Sequence, residues 1–131
     1  MMAGMERIDL RIVIVDDNPD AAATLAKLIE VSGFSVVARI RDTPVAVEYI
    51  AKELPHVVML DIGMPLIDGF TLARRIREAV FPVPRLVAVT GHSAARHKEE
   101  ARKAGFDAYF NKPVDWPKLE DLLVSYAEAN E

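Results

Sequence analysis

Acidic, hydroxyl and basic side chains stand directly after short apolar runs of the chain. Asp16 and Asp17 follow IVIV, Asp61 follows VVML, Thr90 follows LVAV, and Lys112 comes shortly after AYF. Clustered carboxylates repel one another, and a divalent cation bound by oxygen ligands, such as Mg²⁺, relieves that repulsion. A lysine and a hydroxyl are more than a magnesium site needs, but they suit a phosphoryl group carried by a carboxylate. These residue types therefore predict phosphoryl transfer to an aspartate, assisted by Mg²⁺.

The spacing of the three acids suggests how they divide the work. Asp16 and Asp17 are adjacent, so one can ligate the metal directly while the other acts directly or through water. Asp61 stands alone at the end of its apolar run. We therefore predict that Asp61 is the phosphoryl acceptor, held by a rigid strand that faces both the acidic pair and Lys112.

Five apolar runs alternate with segments of helical period, and their β-branched content and abrupt ends favour strands. The runs are Ile12–Val15, Val36–Ile40, Val57–Leu60, Leu86–Val89 and Ala108–Phe110. Asn18-Pro19 and Thr43-Pro44 predict the starts of the first two helices, and Gly33 the end of the first. The predicted inner positions of the helices are Leu25, Leu28 and Ile29; Val47, Ile50, Ala51 and Leu54; Leu72, Ile76 and Val80; a thin stripe within Ser93 to Ala104; and Leu119, Leu122, Leu123 and Tyr126.

This alternation predicts an α/β fold, a doubly wound five-stranded parallel sheet of flavodoxin-like (βα)5 type with strand order 2-1-3-4-5. In such a sheet all strands end along one edge, and ligands bind where the strand order reverses. That position lies between the first and third strands. The three aspartates should therefore converge there, flanked by Thr90 and Lys112.

Composition narrows the class of protein. The 131 residues suit one domain, with a short flexible lead over 1–8 and the domain over 9–131. The net charge of −4 argues against direct nucleic-acid binding, and no apolar run approaches the length of a membrane span. The absence of cysteine fits a cytoplasmic protein.

With these residues in view, the chain resembles the receiver domain of two-component response regulators, either the single-domain type or the receiver of a hybrid sensor kinase. The matching motifs are VDD at 15–17, LDIGMPLIDG at 60–69, VTG at 89–91 and NKPV at 111–114. They occur in the family's order and span nearly the whole chain. The resemblance implies a signalling switch and not an enzyme, with a histidine kinase or histidine phosphotransfer protein as phosphodonor and a downstream protein as target. A monomer or weak dimer is expected.

The resemblance also implies individual roles at the site. Asp61 would accept the phosphoryl group, and Mg²⁺ would be held by Asp17, Asp61 and the backbone carbonyl of Gly63, with Asp16 assisting. Lys112 would contact the phosphoryl oxygens.

Further implied roles concern the switch. Thr90 would move toward the phosphoryl group, Tyr109 would turn inward with it, and the surface of helix 4, strand 5 and helix 5 would change. The bond between Lys112 and Pro113 would be cis. Gly63 and His92 occupy the two positions that tune the phosphoryl lifetime in the family.

Other functions remain open at this point. Each motif alone could be an ordinary turn or strand exit, and the chain could serve as a receiver-like interaction module that is never phosphorylated. An aspartyl phosphatase would need a second acid two residues after its nucleophile, where this chain has Gly63. A flavin or nucleotide binder would need a phosphate-binding loop after the first strand. In this chain Asp16 and Asp17 occupy that position, and their charges would repel the phosphate.

Overall fold

The structure is a computed structural model that describes residues 10–62, 69–91 and 95–129, without the side chains of Thr43 and of residues 95–97. Within these ranges, no helix combines the length and the apolar character that crossing a bilayer requires.

Five parallel strands form one sheet. They are β1 (Arg11–Val15), β2 (Ser35–Ile40), β3 (Val57–Leu60), β4 (Arg85–Thr90) and β5 (Ala108–Asn111). Their order is β2-β1-β3-β4-β5, which confirms the predicted topology. The predicted apolar runs lie inside these strands, which extend beyond some runs by one residue.

Five helices connect and follow the strands. They are α1 (Pro19–Val31), α2 (Thr43–Glu53), α3 (Gly69–Ala79), α4 (Ala95–Ala104) and α5 (Trp116–Ala129). Asn18 caps α1 as predicted, since its side chain accepts hydrogen bonds from the backbone N–H groups of Asp20 and Ala21. At α2 the cap is Asp42 rather than Thr43, and it makes no side-chain cap hydrogen bond.

The sheet is covered on both faces, so successive residues of each central strand enter two separate cores. Side chains of α2, α3 and α4 pack on one face, where Val58 and Leu60 of β3 point. Side chains of α1 and α5 pack on the other face, where Val57 and Met59 point. All four of these β3 residues are buried, which explains why the strand is apolar at every position and not at alternate ones.

The predicted inner faces of α1 and α2 were partly wrong. In α1 the buried residues are Ala22, Ala26 and Ile29, whereas Leu28 is exposed. Small alanines allow this helix to lie close to the sheet, and the larger leucine then lies at the side. In α2 the buried residues are Ala46 and Ile50.

Two predicted α2 positions therefore face outward. Ala51 is exposed, and Leu54 is the C-cap of α2 with a left-handed φ of 48° that turns the chain out of the helix. The inner positions predicted for α3 and α5 are buried, except Leu122, which is half-buried.

The start of α3 touches the backbone beside the predicted acceptor. A Cβ atom on Gly69 would lie 2.5 Å from Cα of Ile62 and 3.0 Å from the carbonyl oxygen of Asp61. The N–H of Gly69 also donates to the carbonyl of Ile62 at 3.4 Å. Only glycine fits this approach, because the nearest atom belongs to the backbone of Ile62 and cannot move aside as the end of a flexible side chain could.

We expect Gly69→Ala to destabilise the fold by about 1–3 kcal/mol, the usual cost of forcing an added carbon into a packed site. The measurement is the midpoint of urea unfolding. Gly91→Ala is the matched control, since a Cβ there meets nothing within 4 Å. Equal losses for the two variants would contradict the close approach.

Candidate phosphoryl-transfer site

Adjacent strands bring the separated acids to one edge of the sheet. Val15 of β1 pairs with Leu60 of β3, so the residues that follow them, Asp16 and Asp61, leave the sheet side by side. The N–H of Asp61 donates to the carbonyl of Val15 at 3.0 Å, which fixes this junction. Carboxylate oxygens of Asp16, Asp17 and Asp61 all lie within 4.8 Å of one another.

Asp16 is the most enclosed of the three acids, with 6% of its surface exposed. Its Oδ1 accepts the backbone N–H of Asn18 at 2.9 Å, and its Oδ2 accepts from Lys112 Nζ at 3.0 Å. Its own N–H donates to the carbonyl of Ile40 at 3.0 Å. Both carboxylate oxygens are therefore occupied, which orients the group and satisfies the charge that burial would otherwise destabilise.

Lys112 joins two of the acids. Its Nζ lies 3.0 Å from Oδ2 of Asp16 and 3.4 Å from Oδ2 of Asp61. Burial alone would lower the pKa of Lys112, but the hydrogen bond to Asp16 and the charges of both acids outweigh burial and raise that pKa. The ammonium group therefore stays charged at neutral pH.

The pairing of β5 with β4 positions the backbone of Lys112. Thr90 of β4 pairs with Asn111 of β5, and the N–H of Lys112 donates to the carbonyl of Thr90 at 2.8 Å. The bond between Lys112 and Pro113 is cis. Thr90 is fully buried at the end of β4, one strand away from Asp61.

Tyr109 lies on the same face of the sheet as Thr90. It pairs with Ala88, two residues before Thr90, and packs against the core of α2, α3 and α4. Burial raises the pKa of its phenol, so Tyr109 is neutral at physiological pH. It also lines a groove of about 320 Å³ between α4 and β5, together with Ala101 and Phe106.

The donor set fits a hard divalent cation. Three carboxylates supply oxygen ligands only, and one of them, Asp17, is exposed while Asp61 is half-buried. Of the described residues, only these three aspartates form a cluster of possible metal ligands. The predicted ligand Gly63 and the predicted lifetime residue His92 lie outside the described residues.

Sequence reasoning missed two features of the framework. Asn18 was predicted only as a helix cap, but its backbone N–H also donates a hydrogen bond to the carboxylate of Asp16. The available signal was the aspartate two residues earlier, because aspartate side chains often accept from the backbone N–H two residues on. His56 is half-buried, and its Nδ1 accepts the N–H of Arg11 at 2.9 Å. No sequence spacing indicates that contact across 45 residues.

Comparison with known proteins agrees with this geometry. The family model for the response regulator receiver domain matches residues 12–124. The chain belongs to the response regulator receiver domain family. This range includes all five strands except the first residue of β1, together with the three aspartates, Thr90 and Lys112.

The relatives match this chain over very different shares of their own length. It is 32% identical to an uncharacterised 14.6 kDa protein of Leptolyngbya boryana, covering 90% of each chain. It is also 32% identical to the sensor histidine kinase RcsC of Salmonella typhi, covering 92% of this chain but only 12% of RcsC. A solved two-component response regulator of the LuxR family from an Aurantimonas species is 27% identical with a TM-score of 0.83, covering 92% of this chain and 86% of that one.

We expect Lys112→Met to destabilise this receiver domain by about 1–3 kcal/mol in magnesium-free buffer, because it leaves the buried Asp16 without its cation. Chemical denaturation in EDTA measures the loss. Lys118→Met is the control: the nitrogen of Lys118 lies 3.9 Å from Asp115 and both side chains are exposed, so its removal should cost less than about 0.5 kcal/mol. A Lys112 variant as stable as the control would show that the ammonium group of Lys112 does not stabilise the neighbouring carboxylates.

Proposed function

We propose that this receiver domain is a phosphoaccepting switch in which Asp61 takes a phosphoryl group from the phosphohistidine of a histidine kinase or histidine phosphotransfer protein. The observation that carries the proposal is the position of Lys112 Nζ, 3.4 Å from Asp61 and 3.0 Å from Asp16. Family membership supports it. A cation in this position neutralises an acceptor carboxylate and can then contact the oxygens of the incoming group.

The transfer exchanges one bond to phosphorus for another. An oxygen of Asp61 forms the new O–P bond while the N–P bond of the donor's phosphohistidine breaks and the imidazole leaves with that electron pair. Asp61 is half-buried, so one side of its carboxylate remains open to a donor protein. Its backbone is fixed by β1 and by Gly69, so it meets the donor in one orientation.

Asp16, Asp17 and Asp61 would hold Mg²⁺ with their carboxylates, and the family resemblance adds the carbonyl of Gly63. When bound, the ion supplies positive charge against the acids and the phosphoryl oxygens. Both carboxylate oxygens of Asp16 already accept hydrogen bonds, one from Asn18 and one from Lys112. Movement of Lys112 toward the phosphoryl group would release one of these oxygens to ligate the metal.

The readout would pass from Thr90 to Tyr109. Both lie on the same face of neighbouring strands, and Thr90 is buried, so movement of Thr90 toward a phosphoryl group on Asp61 changes the space beside Tyr109. Tyr109 borders the groove between α4 and β5. Its inward turn would reshape the α4, β5 and α5 surface for a downstream protein. Gly63 and His92 would set how long the phosphoryl group persists.

Incubation with Mg²⁺ and acetyl phosphate should add one phosphoryl group to the chain, because Asp61, Lys112 and the metal site complete the transfer chemistry. Intact-mass spectrometry measures the adduct. Asp61→Asn should abolish it, whereas Asp20→Asn, at an exposed acid on α1, should not.

A purified, autophosphorylated histidine kinase serves as a second donor, since transfer from phosphohistidine is the reaction proposed. Absence of an adduct with both donors would overturn the proposal and leave the interaction-module alternative. An adduct that persists in Asp61→Asn would show that Asp61 is not the acceptor.

Mg²⁺ should raise the thermal unfolding midpoint of the unphosphorylated chain. At a concentration ten times the dissociation constant, binding to the folded state alone contributes about 1.4 kcal/mol, or roughly 5 °C for a domain of this size. Asp17→Asn should lose most of this shift, and Asp20→Asn should keep it. If both variants kept the rise in the unfolding midpoint, the ion would bind elsewhere on the chain.

A further inference from the structure

A second groove lies at the opposite end of the sheet from Asp61. It has a volume of about 370 Å³ and is bordered by segments that precede β1, β3 and β4, together with the side of α5. Residues that shape it include Arg11, Leu54, Pro82, Arg85 and Tyr126. Parallel strands end at the phosphoryl site and begin at this groove, so the two sites are separated by the length of the sheet.

Exposed apolar residues line this groove or lie next to its lining residues in the chain. Leu54 and Val83 line it with 40% and 38% of their surfaces exposed, and Phe81, next to the lining residue Pro82, is 90% exposed. Removing such side chains from water is favourable, so a surface that keeps them in solvent forgoes that free energy. Contiguous exposed apolar residues mark interaction sites more often than isolated ones do.

The conformation of Leu54 adds to this observation. Its φ of 48° is the only positive value among the described residues other than glycine. A leucine rarely adopts this conformation, because its Cβ atom crowds the following carbonyl oxygen. The guanidinium group of Arg11 holds the conformation by donating to the carbonyl oxygens of Glu53 at 2.8 Å and Leu54 at 2.7 Å. The result is an apolar side chain fixed at the rim of the groove.

The charges at the groove are of one sign. Arg11 and Arg85 line it, and no aspartate or glutamate does so among the described residues, although the whole chain carries a net charge of −4. The Arg11 guanidinium bonds to neutral carbonyls, and that of Arg85 lies 4.9 Å from the ring centre of Tyr126. Asp107, whose charge also reaches Tyr126, accepts the N–H of Leu86 at 2.8 Å.

We propose that this amino-terminal groove docks an acidic peptide segment of a partner protein, one that carries an aliphatic or aromatic side chain between its carboxylates. The carboxylates face Arg11 and Arg85, and the apolar side chain packs among Leu54, Phe81 and Val83. Charge complementarity favours this occupant over a second copy of the chain docked groove to groove, since the second groove would present the same positive charge. Since the groove lies away from Asp61, docking is independent of phosphorylation.

The test uses a fluorescein-labelled hexapeptide that alternates glutamate with phenylalanine or leucine, and a counterpart with lysine in place of glutamate. Fluorescence anisotropy with the full chain should show saturable binding of the acidic peptide alone. Arg85→Glu and Phe81→Ala, both exposed positions, should each weaken binding by about fivefold or more. Lys27→Glu, an equal charge change on the exposed side of α1, should leave it unchanged.

Amide chemical-shift mapping locates the peptide, and shifts confined to Leu54, the 81–85 segment and Tyr126 support the proposal. Asp61→Asn should bind equally well, which separates this result from that of the phosphoryl-transfer experiment. Shifts centred on α4 or α1, equal binding of the lysine peptide, or no saturable binding would overturn it. Self-association that Phe81→Ala abolishes, seen by sedimentation, would assign the groove to a second copy instead.

Discussion

Three carboxylates at one sheet edge need a cation, and the rest of the site depends on how that need is met. Lys112 meets it from the end of β5, two strands away from β3, with its nitrogen between Asp16 and Asp61. Asp17 is left on the exposed side, where water screens its charge. The arrangement balances the site without neutralising it fully, so a metal ion and an anionic group can be accommodated together.

This charge balance depends on the sheet, because the sheet brings the charged side chains together. Asp16, Asp61 and Lys112 come from three strand ends, and each is fixed by a backbone hydrogen bond from its own N–H to a carbonyl at the end of the strand beside it. A shift of one residue in the pairing of β1 with β3 would turn every side chain of the shifted strand to the opposite core. Because Val57–Leu60 is buried on both faces, such a shift would disturb both cores.

The sequence was sufficient for the sheet order and for the meeting of Asp16, Asp61 and Lys112, because strand ends of a doubly wound sheet share one edge. It was less informative about helix faces. Leu28 and Leu54 fit a helical apolar period, yet the structure buries Ala22 and Ala46 where the helices approach the sheet closely. Periodicity identifies which residues share a face but not which neighbouring stripe lies deepest, since that depends on the distance between helix and sheet.

Contacts between distant segments were beyond sequence reasoning altogether. The approach of Gly69 to the Asp61–Ile62 backbone, and the bonds from Arg11 to the end of α2, depend on how loops lie after the sheet has formed. These contacts lie at opposite ends of β3. One fixes the backbone of Asp61, the proposed acceptor, and the other fixes Leu54 at the amino-terminal groove. A rigid β3, buried on both faces, therefore separates the two surfaces that we propose for different partners. The charge of one would change if Asp61 were phosphorylated, whereas the shape of the other is held by bonds at the opposite end of the strand.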